Sequence, residues 1–308
     1  MRSKTQDSSR ARLSSRAAPG SQISRFCGDI VCLDNGNFVS VVEDRSGVFT
    51  NGNATVATIF APDGSIVKDS FVVVGSDIWA NVAAHKAGFA VRAGDGAGGR
   101  AIYFFDNDGN PTGSANQNTS GVSFDTGRGD GTRLAGHINS PYVYLAGRVV
   151  GGTDVKVAVW DARDGSFVTV ANVNEAGFAA DADRANLAVD ALNRFTAAWV
   201  VKPTGYDQQQ VAARVLRLEL DPEPRIAPLT GTFLPFINVG KTNGIRTLQM
   251  TVAMTTREIC IGAKGEINLQ NQPELGANSP TQINFYTVFT HPAPATDQIG
   301  RASCRERV

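Results

Sequence analysis

Five residues, Phe38, Phe89, Tyr142, Phe195 and Ile259, each open an apolar segment just after a short polar turn. Their successive spacings are 51, 53, 53 and 64 residues. Near-equal spacing at this period marks a chain built from copies of one supersecondary unit, which buries its apolar faces by stacking against its neighbours. In each copy an apolar run precedes the turn: Val31–Asp34, Val82–His85, Leu134–His137, Leu187–Asp190 and Val252–Met254. A third strand follows downstream, at Thr55–Phe60, Ala101–Phe105, Val155–Trp160, Val211–Leu218 and Ile283–Phe289. β-Branched and aromatic residues dominate most of these runs, as strands prefer. Turns such as Pro62-Asp63-Gly64, Asn107-Asp108-Gly109 and Arg163-Asp164-Gly165 come next. Glycine accepts positive φ without strain, so Asp-Gly here signals a hairpin into a fourth strand, for example Ser65–Val67 or Phe167–Val170.

Four strands every fifty-odd residues predict an all-β fold, a β-propeller of about five four-stranded blades. The ring closes at five if Gln22–Phe26 supplies the strand missing after Asp297. The alternative is a six- or seven-bladed ring cut short, with an open strand edge prone to aggregation. By residue propensity alone Ala185–Val200 reads as a helix; the repeat register predicts two strands there. The 64-residue interval places an insertion near Phe233–Arg246.

The repeat resembles one found in many large secreted or surface bacterial proteins. The shared pattern runs Gly-Gly-Phe-x-Val-x-Trp, then a Gly/Asp-rich loop, then a strand that opens on Ile and ends in Phe-Asp-x-Asp-Gly-x-Pro-x-Gly. It is matched here by Gly88-Phe89-Ala90-Val91, Gly94–Gly99 and Ile102–Gly113. The resemblance covers roughly Ser24 to Asp297 and implies a propeller in an extracellular or periplasmic setting. The first, fourth and fifth copies lack its Trp or its full Asp-Gly turn. The sialidase-type Asp box is absent, as are the Gly-His and Trp-Asp marks of WD40 repeats.

The ends are read apart from the repeats. Residues 1–23 are rich in Arg and Ser and lack the apolar run of a signal peptide; a disordered tail is expected, with the repeat domain spanning 24–298. Residues 299–308 read IGRASCRERV. Back-translated, they fit a common sequencing-library adapter read in frame, so they are excluded as non-native. Outside them stand Cys27, Cys32 and Cys260, too few for a disulfide framework. Buried apolar roles suit all three, and a bridge from Cys260 to Cys27 or Cys32 requires the first and last repeats to meet.

The 29 basic and 29 acidic side chains balance, so no global field draws nucleic acid. No apolar run approaches the length of a membrane span. No P-loop, dinucleotide fingerprint or nucleophile–base pairing stands out, and no catalytic residue, cofactor or metal is assigned. Asp106–Asn110 begins like a calcium loop but lacks the terminal bidentate acid; a hairpin turn accounts for it. Asp34, His85, His137 and Asp190 stand at matching turns, where metal ligation competes with ordinary strand capping at a solvated rim. The loops between second and third strands vary while the strands repeat, and variable loops on a rigid scaffold are where binding resides. Arg100, Arg148, Tyr206, Asp207 and Lys264 are the binding candidates there. The expected function is a non-catalytic interaction module for a protein or carbohydrate ligand. The competing reading is a polysaccharide hydrolase or lyase on the same scaffold.

Overall fold

The computed structural model describes residues 25–45, 47, 49–50, 52–75, 80–94, 100–124, 132–202, 209–235, 245–267 and 281–290. They form five antiparallel sheets, each a simple meander in chain order. The first holds β1 (Arg25–Cys32), β2 (Phe38–Asp44), β3 (Ala54–Phe60) and β4 (Ile66–Gly75). The second holds β5 (Asn81–His85), β6 (Gly88–Gly94), β7 (Arg100–Asp106) and β8 (Pro111–Asn116). A single 3-10 turn, Gln117–Ser120, leads on from it. The third contains β9 (Thr132–Gly136), β10 (Tyr142–Arg148), β11 (Val155–Asp161) and β12 (Phe167–Asn172). The fourth contains β13 (Ala180–Val189), β14 (Arg194–Val201), β15 (Gln210–Glu219) and β16 (Arg225–Pro228). The fifth has three described strands, β17 (Ile245–Met254), β18 (Glu258–Ile267) and β19 (Thr281–Thr290).

Each sheet packs face to face on the next, and the first strands β1, β5, β9, β13 and β17 neighbour one another in sequence. This is a β-propeller arrangement, with each sheet a blade and the first strands nearest the axis. Blades are buried on both faces, so their inner strands are buried on both sides rather than alternating between core and solvent. Every residue of β5 and β6 is buried. Four apolar clusters fill the joins. Val39, Val41, Ala84, Phe89 and Phe105 fill the first, and Phe104, Phe124, Leu145 and Trp160 the second. Tyr144, Val189, Phe195 and Trp199 fill the third, and Val215, Ile259 and Ile261 the fourth. Among the described residues no such cluster joins the fifth sheet to the first.

Ala185–Val200 forms β13 and β14. Its helical propensity amounts to tenths of a kcal/mol per residue, whereas Leu187, Phe195 and Trp199 together enter a fully buried interface. Two expectations need correction. Arg25 and Phe26 do not add an outer strand to the fifth sheet; they begin the innermost strand of the first, paired with Asp44 and Glu43. Lys264, expected in a loop between second and third strands, lies within a strand, because β18 runs to Ile267 and β19 begins at Thr281. The two tails and the stretch 236–244, within the expected insertion, lie outside the described residues. Among those described, no helix is long and apolar enough to cross a membrane.

Candidate functional site

Strand pairing fixes which residues of different blades stand at the same height. Near each first hairpin, Cys32, Ala84, Gly136, Val189 and Met254 stand at equivalent positions, paired with Phe38, Phe89, Val143, Phe195 and Ile259. Three residues earlier stand Asp29, Asn81, Arg133, Asn186 and Thr251, opposite Val41, Arg92, Ala146, Ala198 and Gly262. All five are polar. They form a collar on the innermost strands toward the face that carries the variable loops.

The collar is cross-linked between blades. Asp29 Oδ1 lies 3.5 Å from Arg133 Nη2, joining the first blade to the third across the second. Asp29 Oδ2 accepts from Val82 N at 3.3 Å. Asn186 Nδ2 donates to Met250 O of the fifth blade at 2.9 Å. Beside Asn81, Arg92 Nε donates to Gln117 Oε1 at 2.8 Å. Glu43, buried at the end of β2, takes a bond from Arg45 Nε through Oε1. Its Oε2, like Asn81 Oδ1, is buried with no hydrogen-bond partner among the described residues. Leaving such acceptors unsatisfied costs about 1–3 kcal/mol each.

Of the loop candidates, Arg100 opens β7 opposite Gly94 and Arg148 closes β10 opposite Val155. Both are half-buried at strand ends on the collar's side. Lys264 stands within β18, paired with Asn284. Tyr206 and Asp207 lie outside the described residues. The collar lies on strands, where variability between loops gives no signal of it. The signal that finds it is an alignment of the five copies, in which one inner-strand column is polar throughout.

On the opposite face the four turn residues do not share one height. The register aligns His85, His137 and Asp190 with Leu33 and Thr255, and Asp34 stands one residue further along its turn. Each is engaged locally. Asp190 accepts from Leu192 N and Arg194 N and pairs with the Arg194 guanidinium. His137 Nδ1 accepts from Asn139 N. Asp34 Oδ2 accepts from Ala87 N of the next blade at 2.9 Å. That bond starts a series of hairpin-to-hairpin links: Lys86 N to Ser140 O, Ser140 Oγ to Asn193 Oδ1, and Arg194 Nη2 to Thr256 O. Among the described residues no three His, Cys, Asp or Glu side chains gather where they could hold a metal ion. In the Asp106 turn the carboxylate accepts from Asp108 N, Asn110 N and Asn110 Nδ2, as a hairpin requires.

His85 is buried between the second and third blades, its ring edge-on to Phe104 at 6.4 Å. Burial is the main influence and holds its pKa below the ordinary value, although the Lys86 carbonyl and Asp34 pull the other way. The folded state therefore binds this proton less readily than the unfolded chain. Its stability is full above the ordinary histidine pKa of about 6.5 and declines as pH falls through and below it. Denaturant titrations from pH 8 to pH 5 should show this decline reduced in His85→Gln; an unchanged slope would remove His85 as its source.

No family profile matches the chain, and none of the curated proteins does. Among solved structures it is similar to a hydrazine synthase from Kuenenia stuttgartiensis, at 10% identity and a TM-score of 0.44, over 86% of this chain and 62% of that one. It is similar to a Hadza microbial sialidase at 11% identity and a TM-score of 0.43, over 76% and 49%. It is also similar to a Penicillium chrysogenum α-L-arabinanase complexed with arabinobiose, at 11% identity and a TM-score of 0.36, over 91% and 66%. The chain thus spans from about half to just under two thirds of the length of these proteins.

Proposed function

We propose that this propeller is an extracytoplasmic binding module that seats a carbohydrate at the loop-side mouth of its axis. The observation that carries this reading is the polar column Asp29, Asn81, Arg133, Asn186 and Thr251, which places one polar residue of each innermost strand at a single register height. Polar side chains persist at near-buried positions only when hydrogen-bonded or put to use. A carboxylate, two amides, a guanidinium and a hydroxyl provide donors and acceptors in alternation, which suits a ligand rich in vicinal hydroxyls. The mixed charge argues against a polyanionic strand.

Screening the full chain against immobilised glycans, followed by calorimetry on the glycans retained, tests the proposal. Asn81→Ala and Asp29→Asn should each weaken binding about tenfold, the worth of one hydrogen bond to a charged or buried group. Retention of no glycan, or affinity indifferent to both substitutions, would overturn it.

A second reading, glycosidic bond cleavage, is favoured by one feature. Asp29 pairs with Val41, so Glu43 on the adjacent strand is its diagonal neighbour. Diagonal neighbours on paired strands lie within reach of long side chains, and a pair of carboxylates is what glycosidic cleavage requires. Release of reducing ends from a bound glycan, abolished in Glu43→Gln, would select this reading over simple binding.

A further inference from the structure

Among the described residues, the first and fifth sheets each leave one face uncovered. Ile30 on β1 is 52% exposed, whereas Val82, its equivalent by register in the second blade, is 2% exposed. Cys32, two residues along the same face, is also exposed. On the fifth sheet the residues turned away from the fourth include Ala253 and Val288, both exposed, and the half-buried Cys260. The two uncovered faces thus each carry one free cysteine.

The four formed joins show what covers a face of this kind and which residues then meet. Cys260 pairs with Ala253, so its equivalents are Val39, Ala90, Tyr144 and Thr196, which pair with Val31, Ala83, Ala135 and Ala188. The equivalents of Cys32 are Ala84, Gly136, Val189 and Met254. At the first join Val39 and Ala84 lie in one cluster. At the third Tyr144 and Val189 do. At the fourth Thr196 Oγ1 touches Met254 Sδ at 3.5 Å. In three of the four joins the same two columns share one core cluster or touch directly.

We propose that the fifth blade closes on the first, and that this seam is fastened by a disulfide between Cys260 and Cys32. Closure removes Ile30, Ala253 and Val288 from water by the contacts the other four joins already make. The bond forms by exchange with a small disulfide such as oxidised glutathione. One cysteine thiolate attacks it and expels a glutathione thiolate; the second cysteine thiolate attacks the mixed disulfide and expels the other. Two protein thiols are oxidised and two glutathione thiols are produced. The bridge links residues far apart in sequence, so it restricts the unfolded chain strongly.

The test uses the full chain carrying Cys27→Ser and Cys304→Ser, so that only the two seam cysteines remain. It is equilibrated at low micromolar concentration with oxidised and reduced glutathione, then separated by size. Peptide mapping without reductant should find the Cys32–Cys260 bridge within the monomer. The thermal midpoint should rise by about 5 °C on oxidation, and Cys32→Ser should abolish the rise. Free thiols in a folded monomer would overturn the proposal. So would a bridge found only between chains, which would mean that a second copy covers the seam. If the double variant does not fold, the same mapping of the unmodified chain decides the matter, with a bridge to Cys27 or Cys304 as the opposing result.

Discussion

Gly88→Ala is expected to prevent the second blade from forming. A Cβ at this position would stand 1.9 Å from Phe105 O and 2.9 Å from Asp106 Cα. Both atoms are backbone of β7, the strand bonded directly to Gly88, so no side-chain rotation relieves the clash. The sheet is also held on both faces: Phe89 stacks on Phe105 at 5.0 Å, and Ala90 belongs to the cluster shared with the third blade. Relief requires breaking the β6–β7 ladder where its burial is complete. A loss of more than about 3 kcal/mol follows from strain of this kind in a core, read as a lowered denaturation midpoint or loss of soluble protein. Gly113→Ala is the control. Nothing lies within 4 Å of a Cβ there, and its stability should stay within about 0.5 kcal/mol of the parent. Equal behaviour of the two variants would refute the packing argument.

Trp160→Ala should cost about 3–5 kcal/mol, as truncating a buried aromatic does. The indole is fully buried between the second and third blades with Phe104, Phe124 and Leu145. Its Nε1 donates to Thr119 Oγ1 at 3.3 Å, and its ring meets Phe167 edge-on at 5.9 Å. Backbone of two blades surrounds the space, so it cannot collapse, and the cavity adds to the lost transfer energy. Phe167→Ala at the outer end of the same contact should cost far less, because that ring is 37% exposed. A drop in the thermal midpoint of about 10 °C for Trp160→Ala is expected, with a much smaller one for Phe167→Ala. Similar midpoints in the two variants would mean that the join between these blades contributes little.

The strands and turns were legible in the sequence because they rest on local chemistry. Alternating apolar residues, Asp-Gly turns and a fixed period identified the third strand of every copy to within two or three residues. The repeat also outweighed helix propensity at Ala185–Val200, since a register shared by five copies reflects interfaces that propensity does not sense. Lys264 was misplaced for a related reason. The sequence of Gly262–Gln282 is polar and glycine-containing, and only pairing with β19 extends β18 through it.

The sequence by itself determined the class of fold, the order of the strands and the blade to which each repeated strand belongs; it misassigned only the N-terminal Arg25 and Phe26, which begin the first sheet. Those properties depend on neighbours within a few residues and on a period that repeats. The tertiary structure alone decided how residues some fifty positions apart come to one height. It brought Asp29 to Arg133 across an intervening blade, set Gly136 so close to Ala84 that a Cβ there would meet its carbonyl oxygen at 2.3 Å, and left Cys32 exposed on the first sheet and Cys260 half-buried on the fifth. The physical reason is that inter-blade height is fixed by the packing of rigid sheets around an axis, and no stretch of sequence shorter than a whole blade carries that constraint.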